Sequence, residues 1–376
     1  MRRKSVTLTP AFQRLMASGP VTREAVDAFL AAHAFPLVEG THVTWVYRGE
    51  AKNLGLRHWV YGLPSSQPMA RLAGTDLWLV TLEIPPRSRV EYKLERDGEL
   101  IEDPLNPLRA RDPFGANSVV HTPGYEVPDW IQPDPEAREG ALAEETIADR
   151  RVRVYLPARF RKTRRYPLLV VHDGDDYLRY TGMKTILDNL IHRLEIPDLV
   201  VAFTTSGDRL REYANDPGHA RWLTERLVPE LEQRYPLLAK PQGRGLMGAS
   251  FGAVASLSAA WRAPGFYGRL LLQSGSFAFT DIGRSNPRGP LFDPIVDFMN
   301  KFRARPLLVA EKVFLSCGVY ESLIYENRSL VPLLQATGMD VRFVEARDGH
   351  NWENWRDRLR DGLSWLFPGP LLLVYE

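Results

Sequence analysis

Residues 243–260 read GRGLMGASFGAVASLSAA, and the way this stretch is parsed decides the fold of the second half of the chain. Residues 244–247 are a short apolar run of strand character, Ser250 stands between Gly248 and Gly252, and residues 253–261 are alanine-rich and helix-prone. Strand, sharp turn and helix in that order are the local form of a nucleophile elbow. There a serine is thrust out of a strained bend, and flanking glycines let neighbouring backbone pass close to it. The plainer alternative is a small residue in a tight turn. A G-x-S-x-G pattern alone does not separate the two in a chain with 28 glycines, so the surroundings decide.

Those surroundings alternate between strand and helix. Strand-like runs occur at RRVRVYLP (150–157), PLLVVHD (167–173), DLVVAFTT (198–205), RLLLQSGS (269–276), EKVFLSCG (311–318) and DVRFVEAR (340–347). Helical patterns fall between them, around residues 184–194 and 220–235. Continuous apolar strands separated by helices predict a mostly parallel sheet covered on both faces, over residues 141–376.

The first part of the chain has a different texture. HVTWVYRG, LRHWVYGL, DLWLVTLEIP and SRVEYKLERDG are alternating, aromatic and β-branched, and Gly, Pro, Asn and Asp clusters divide them. They predict a small all-β sandwich over residues 41–125. Residues 1–40 read as a helical segment, with Val21, Ala25 and Phe29 on one face of VTREAVDAFLAAHA. The proline- and charge-rich residues 126–140 read as a linker.

The chain has 376 residues, 44% of them hydrophobic and 25% charged, and a net charge of +2. That describes a globular protein with two sizeable cores and no basic footprint for nucleic acid or an anionic membrane. Cys317 is the one cysteine, so neither an intrachain disulfide nor a thiolate-rich metal site is available, and it reads as a buried thiol. No run of about 18 apolar residues or signal-peptide core is present, and a cytoplasmic protein is expected.

A serine hydroxyl needs a base, and in this kind of fold the order along the chain is Ser, acid, His. Of eight histidines only His350 follows Ser250, in a loop between a strand and a helix, where the general base is carried. The favoured acid is Glu321, on the loop leaving the preceding strand, with Glu326 and Asp348 as rivals. The oxyanion hole takes one amide from Phe251 and one from the loop after PLLVV, where Asp173, Gly174 and Asp175 compete. HDGDD (172–176) also has the residue types of a divalent-metal site, yet adjacent residues in a tight turn rarely converge on one ion, and no metal or cofactor is expected. Trp352 and Trp355 read as packing beneath the last helix.

The motifs HDGDDY, RLREYAND with LVPELEQRYP, MGASFGAVASL, SCGVYES with EN, and GHNWENWRDRL, in this order, resemble the enterochelin (ferric enterobactin) esterase branch of the esterase D superfamily. TDLWLVTLEIPPRSRVEYKLERDG with DPLNP is similar to the immunoglobulin-like early-set domain that precedes the hydrolase there. The resemblance spans roughly residues 40–367. It implies an α/β-hydrolase fold and a cytoplasmic serine esterase acting on a small-molecule ester, an iron-loaded catecholate siderophore. It carries the nucleophile onto Ser250 and the base onto His350, and it supports Glu321, although many members have Asp there. Arg209 and Glu212 match a segment near the pocket, where Arg209 meets an anionic substrate or the two form a structural pair. The rivals are a general carboxylesterase or acyltransferase with the same machinery, and a carbohydrate- or ligand-binding protein exposing Trp78.

Overall fold

Alternation with a period of two puts neighbouring residues of a strand on opposite faces, and the first half of the chain uses both. The computed structural model describes residues 8–17, 19–280 and 288–370, and the chain divides into two units. The first comprises Met1–Val127 with Val319–Glu321 and Ala346–Asn351, the second Pro128–Gly318, Ser322–Glu345 and Trp352–Glu376.

In the first unit one sheet has the order Leu37–Glu39, His42–Arg48, Leu77–Glu83, Ala70–Arg71. The other runs Ser66–Pro68, Leu54–His58, Arg89–Arg96, Gly115–His121, Arg109–Asp112, with Glu99–Ile101 beside Arg89–Arg96. The pairings are antiparallel. Val43, Trp45 and Tyr47 pack with Leu56, Tyr92 and Leu94 of the second sheet, and Trp45 meets Tyr92 edge-on at 5.7 Å. Val46, Leu77 and Leu79 face the other way, onto Phe12, Leu15, Val26 and Phe29 of helices Pro10–Ala17 and Arg23–Ala32. The boundary expected at residue 40 is therefore not a break. Leu37–Glu39 is already a strand of the sheet, and the helices cover its outer face.

The second unit is built on eight strands: β1 (Ala141–Ile147), β2 (Arg150–Leu156), β3 (Leu168–Val171), β4 (Val200–Thr204), β5 (Arg244–Ala249), β6 (Arg269–Gln273), β7 (Lys312–Gly318) and β8 (Asp340–Ala346). Their order is β1-β2-β4-β3-β5-β6-β7-β8. The β1/β2 and β2/β4 pairs are antiparallel, and β4/β3, β3/β5, β5/β6 and β6/β7 are parallel. Asp340 N–H donates to Glu311 O at the start of β8 and Val319 N–H to Ala346 O at its end, so β8 also runs parallel to β7. In β3, Leu168 and Val170 enter one core, Leu169 and Val171 the other. Burial on both faces is why these strands read as unbroken apolar runs. The helices α1 (Met183–His192), α2 (Phe251–Arg262), α3 (Asp293–Ala304), α4 (Ile324–Ala336) and α5 (Leu359–Leu366) supply the cover. This is the α/β-hydrolase arrangement expected from the motifs. No described helix is long and apolar enough to cross a membrane.

The segment expected to be a linker is tied down over most of its length. Trp130 is buried in the core with α1, Asn189 donates to Trp130 O and Gln132 O at 2.8 and 2.7 Å, and Gly140 N–H reaches Asp188 at 2.7 Å. Composition alone gave no sign of these anchors, because a buried asparagine and aspartate on another element supply them.

Candidate active site

Parallel strands expose their carboxyl ends along one edge, where α/β folds place their sites, and β5 leads straight into Ser250 there. Ser250 has φ +56° and ψ −119°, a strained conformation for a residue with a side chain. A Cβ on residue 248 would stand 2.4 Å from the Gly252 carbonyl, and one on residue 252 would stand 3.2 Å from His172 Cβ. Close approach therefore demands the glycine at 248 and crowds any side chain at 252. Ser250 N–H donates to Gln273 O at 2.9 Å, and its Oγ lies 3.1 Å from Ser276 Oγ. The Ser250 side chain does not cap α2, so the amide of Phe251 opens the helix with the partial positive charge of a helix N-terminus. Below the elbow Tyr177 donates to Gln273 Oε1 at 2.7 Å, Gln273 Nε2 to Trp355 O at 2.8 Å, and Trp355 Nε1 to Ser274 Oγ at 2.9 Å.

The loop after β3 holds the other amides. Asp173 sits at φ +52°, and its N–H is taken by Tyr213 Oη at 3.2 Å. That removes Asp173 from the three oxyanion candidates and leaves Gly174 and Asp175. Residue 174 must be glycine, since a Cβ would fall 2.5 Å from Phe203. Three of the four polar side chains of HDGDD are committed within the protein: Asp173 to Arg209 through two bonds of 2.8 and 2.7 Å, Asp175 to Arg151 at 2.6 Å, and His172 to Met247 O and His219 Nε2 at 3.1 and 3.0 Å. Burial, and after it the His219 ring, push His172 down to about 3, which makes it a neutral internal residue. A metal reading would have to displace all of these partners.

Arg209 and Glu212 do not pair with each other. Arg209 is forked onto Asp173 and lies over the Phe251 ring at 5.9 Å. Glu212 binds Arg150 at 2.7 Å and faces His219 at 3.5 Å. The His219 contact and then Arg150 hold its carboxyl down at about 2.

The three candidate acids separate cleanly. Within the first unit, Glu321 Oε2 is 2.7 Å from His350 Nδ1. The carboxylate side chain is 1% exposed and the imidazole 38%. A carboxylate only accepts, so Nδ1 carries the proton and Nε2 is the basic nitrogen. Asp348 instead receives Arg89 Nη1 at 3.2 Å, Asn351 Nδ2 at 2.8 Å and Gly349 N–H at 2.7 Å, closing the turn before His350. Glu326 lies on α4, in the second unit, and pairs with Arg288 at 2.5 Å. Cys317 is buried. Trp352 packs edge-on against Tyr177 and Trp355, at 5.2 and 4.8 Å. Sequence reasoning missed Ser276 and Arg89; the one available signal for Arg89 was an Arg and a Glu two apart on one strand face in SRVEY. A cleft of about 400 Å³ lined by Arg138, Arg159, Arg164 and His192 opens near the starts of β3 and β4, at the opposite edge of the sheet from Ser250.

Residues 143–366 match the protein family described as "Putative esterase", and the chain belongs to that family: it is a carboxylic ester hydrolase of α/β-hydrolase fold. It is similar along most of its length to the iron(III) enterobactin esterases of Escherichia coli O6:H1 (27% identical over 351 residues, 82% of this chain and 85% of that one) and Dickeya dadantii (26% over 357 residues, 81% and 80%). Among solved structures, the enterobactin esterase of Shigella flexneri in the presence of enterobactin aligns with a TM-score of 0.72 at 20% identity. The alignment covers 90% of this chain and 97% of that one. The ferric enterobactin esterase of Salmonella typhimurium also aligns with a TM-score of 0.72 and 20% identity, covering 86% and 93%.

Proposed function

We propose that this chain hydrolyses the ester bonds of an iron-loaded catecholate siderophore by serine acyl transfer. The observation that carries the chemistry is the strained Ser250 held between Gly248, where a Cβ would overlap backbone, and Gly252, where it would be tightly crowded. What supports the substrate is the similarity, over four-fifths of the chain, to proteins named iron(III) enterobactin esterase.

In the proposed cycle His350 Nε2 takes the Ser250 proton while Glu321 holds Nδ1–H, and Ser250 Oγ attacks the ester carbonyl. The Phe251 amide and that of Gly174 or Asp175 receive the oxyanion. His350 then protonates the departing alcohol, and water repeats the sequence on the acyl-enzyme. Arg209 uses Nε and Nη2 on Asp173, which leaves Nη1 for an anionic catecholate. Iron enters only as the cargo of the substrate.

The test is mass spectrometry of products after incubation with ferric enterobactin, other iron-loaded siderophores and p-nitrophenyl acetate. Wild type is expected to open the catecholate esters, and Ser250→Ala to lose several orders of magnitude on every ester while remaining folded. Turnover by Ser250→Ala at near wild-type rate overturns the mechanism. Hydrolysis of simple esters with no siderophore product overturns the substrate and leaves a general carboxylesterase.

A further inference from the structure

The sandwich strand Arg89–Arg96 begins with a wholly buried arginine. Burying a guanidinium is unfavourable unless oxygen atoms surround it, and the sandwich already has an apolar core that needs no such group. Arg89 Nη2 donates to Glu91 Oε1 at 2.8 Å, and Nη1 to Asp348 Oδ1 at 3.2 Å and Asn351 Oδ1 at 3.0 Å. Its backbone N–H donates to Arg347 O at 2.9 Å. These acceptors at 347, 348 and 351 bracket His350.

The neighbouring residues grip the same two segments. Arg347 donates to Pro86 O at 2.6 Å. Ser88 Oγ is 2.6 Å from the hydroxyl of Tyr320, the residue before Glu321. Tyr320 N–H donates to Asp348 O at 3.2 Å, and Tyr61 N–H to Tyr320 O at 2.9 Å. Residues 86–89 of the sandwich thus hold the carrier of the acid and the carrier of the imidazole together, across more than 230 positions of sequence. All of these contacts lie within the first unit.

We infer that Arg89 is a positioning residue for the reaction: through Asp348 and Asn351 it fixes the turn of residues 347–351 and so the orientation of the His350 imidazole on Glu321. The inference rests on reading His350 as the general base. Its consequence is that the β-sandwich sets the geometry of the segments that carry Glu321 and His350. A planar, five-donor group suits this place because one side chain must meet oxygen atoms in several directions, which a lysine ammonium does less well.

The experiment compares wild type with Arg89→Gln, Arg89→Lys, Asp348→Asn and the double variant Arg89→Gln/Asp348→Asn. The readouts are p-nitrophenyl acetate kinetics and the far-downfield proton resonance of His350 Nδ1–H, assigned by its loss in His350→Ala. Arg89→Gln is expected to lower kcat by about a hundred-fold, the scale of a misplacement of about 1 Å in a reacting group, with KM within about twofold. The Nδ1–H resonance is expected to shift or broaden, and the double variant to be no worse than the poorer single variant, as members of one network behave. If Arg89→Gln does not fold, Arg89→Lys and Asp348→Asn carry the same comparison, with a kcat loss and a moved resonance expected of each. Folded variants that keep wild-type kcat and an unmoved resonance overturn the inference, as do multiplicative losses in the double variant. Full activity in Ser250→Ala would instead overturn the serine mechanism, and the resonance would still decide the clamp.

Discussion

The hydroxyl oxygens of Ser250 and Ser276 stand 3.1 Å apart, and the loop that carries Ser276 is anchored by Asn327. Gly275 N–H donates to Asn327 Oδ1 at 3.1 Å and its carbonyl accepts from Asn327 Nδ2 at 2.8 Å. Ser276 N–H donates to Ser250 O at 3.2 Å. Among the described residues the Ser276 hydroxyl has Ser250 Oγ as its hydrogen-bond partner. Either oxygen can donate at rest. Once the base removes the Ser250 proton, only Ser276 can. That bond then strengthens as Oγ becomes charged.

For the proposed cycle this predicts that Ser276→Ala slows breakdown of the acyl-enzyme more than its formation. Donation restrains Oγ as an attacker but assists it as a leaving group. kcat and KM are expected to fall together, by about tenfold, with kcat/KM within about threefold, and a pre-steady-state burst should grow. Ser276→Thr should restore the wild-type pattern. A fall in kcat/KM without a burst would contradict this.

The acid is distinguished by comparing Glu321→Gln with Glu326→Gln. Glu321→Gln is expected to reduce kcat by up to about 10⁴-fold, as when the orienting carboxylate of a triad becomes an amide. Glu326 is engaged by Arg288, and its amide variant should stay within about threefold of wild type. Equal losses would remove the special place of Glu321.

Gly248→Ala tests the elbow itself. The added Cβ would meet the Gly252 carbonyl at 2.4 Å, so the bend must open. A stability loss of about 1–3 kcal/mol by urea denaturation and a fall in the rate of fluorophosphonate labelling of Ser250 are expected. Unchanged labelling would show that the turn has slack.

Asp348 makes stability depend on pH in an unusual direction for a carboxylate. Burial pushes it up to about 7, against the pull of Arg89 and of hydrogen bonds from Asn351 and Gly349; in the unfolded chain it ionises near ~4. Between those values the folded state holds a proton that the unfolded state has lost, so this group's contribution falls as pH rises from about 4 to 7. Asp348→Asn should flatten that decline in urea midpoints measured at intervals across the window. A decline equal to wild type would reassign it to other groups.

Features written in consecutive residues were legible in the sequence. The elbow shows because Gly248, Ser250 and Gly252 stand between an adjoining strand-like run and a helix-prone one. The sheet strands of the second unit show as unbroken apolar runs because both faces are buried. The early strand Leu37–Glu39 escaped because three residues are too few for a period. The anchoring of Trp130 escaped because Asp188 and Asn189 look like ordinary polar positions of a helix. The Glu321–His350 contact was favoured over two rivals from position alone, whereas Arg89 gave almost no sign. A strand arginine is usually solvated, and its burial is explained by Glu91 on the same strand together with Asp348 and Asn351, which the chain brings back about 260 positions later.

Because Val319–Glu321 and Ala346–Asn351 keep company with the sandwich, the two ends of the gene are not free to drift apart. A change at position 89 alone would strip Asp348 and Asn351 of a hydrogen-bond donor. Trimming the chain at Val127 to obtain a miniature hydrolase would leave Asp348 without its counter-ion.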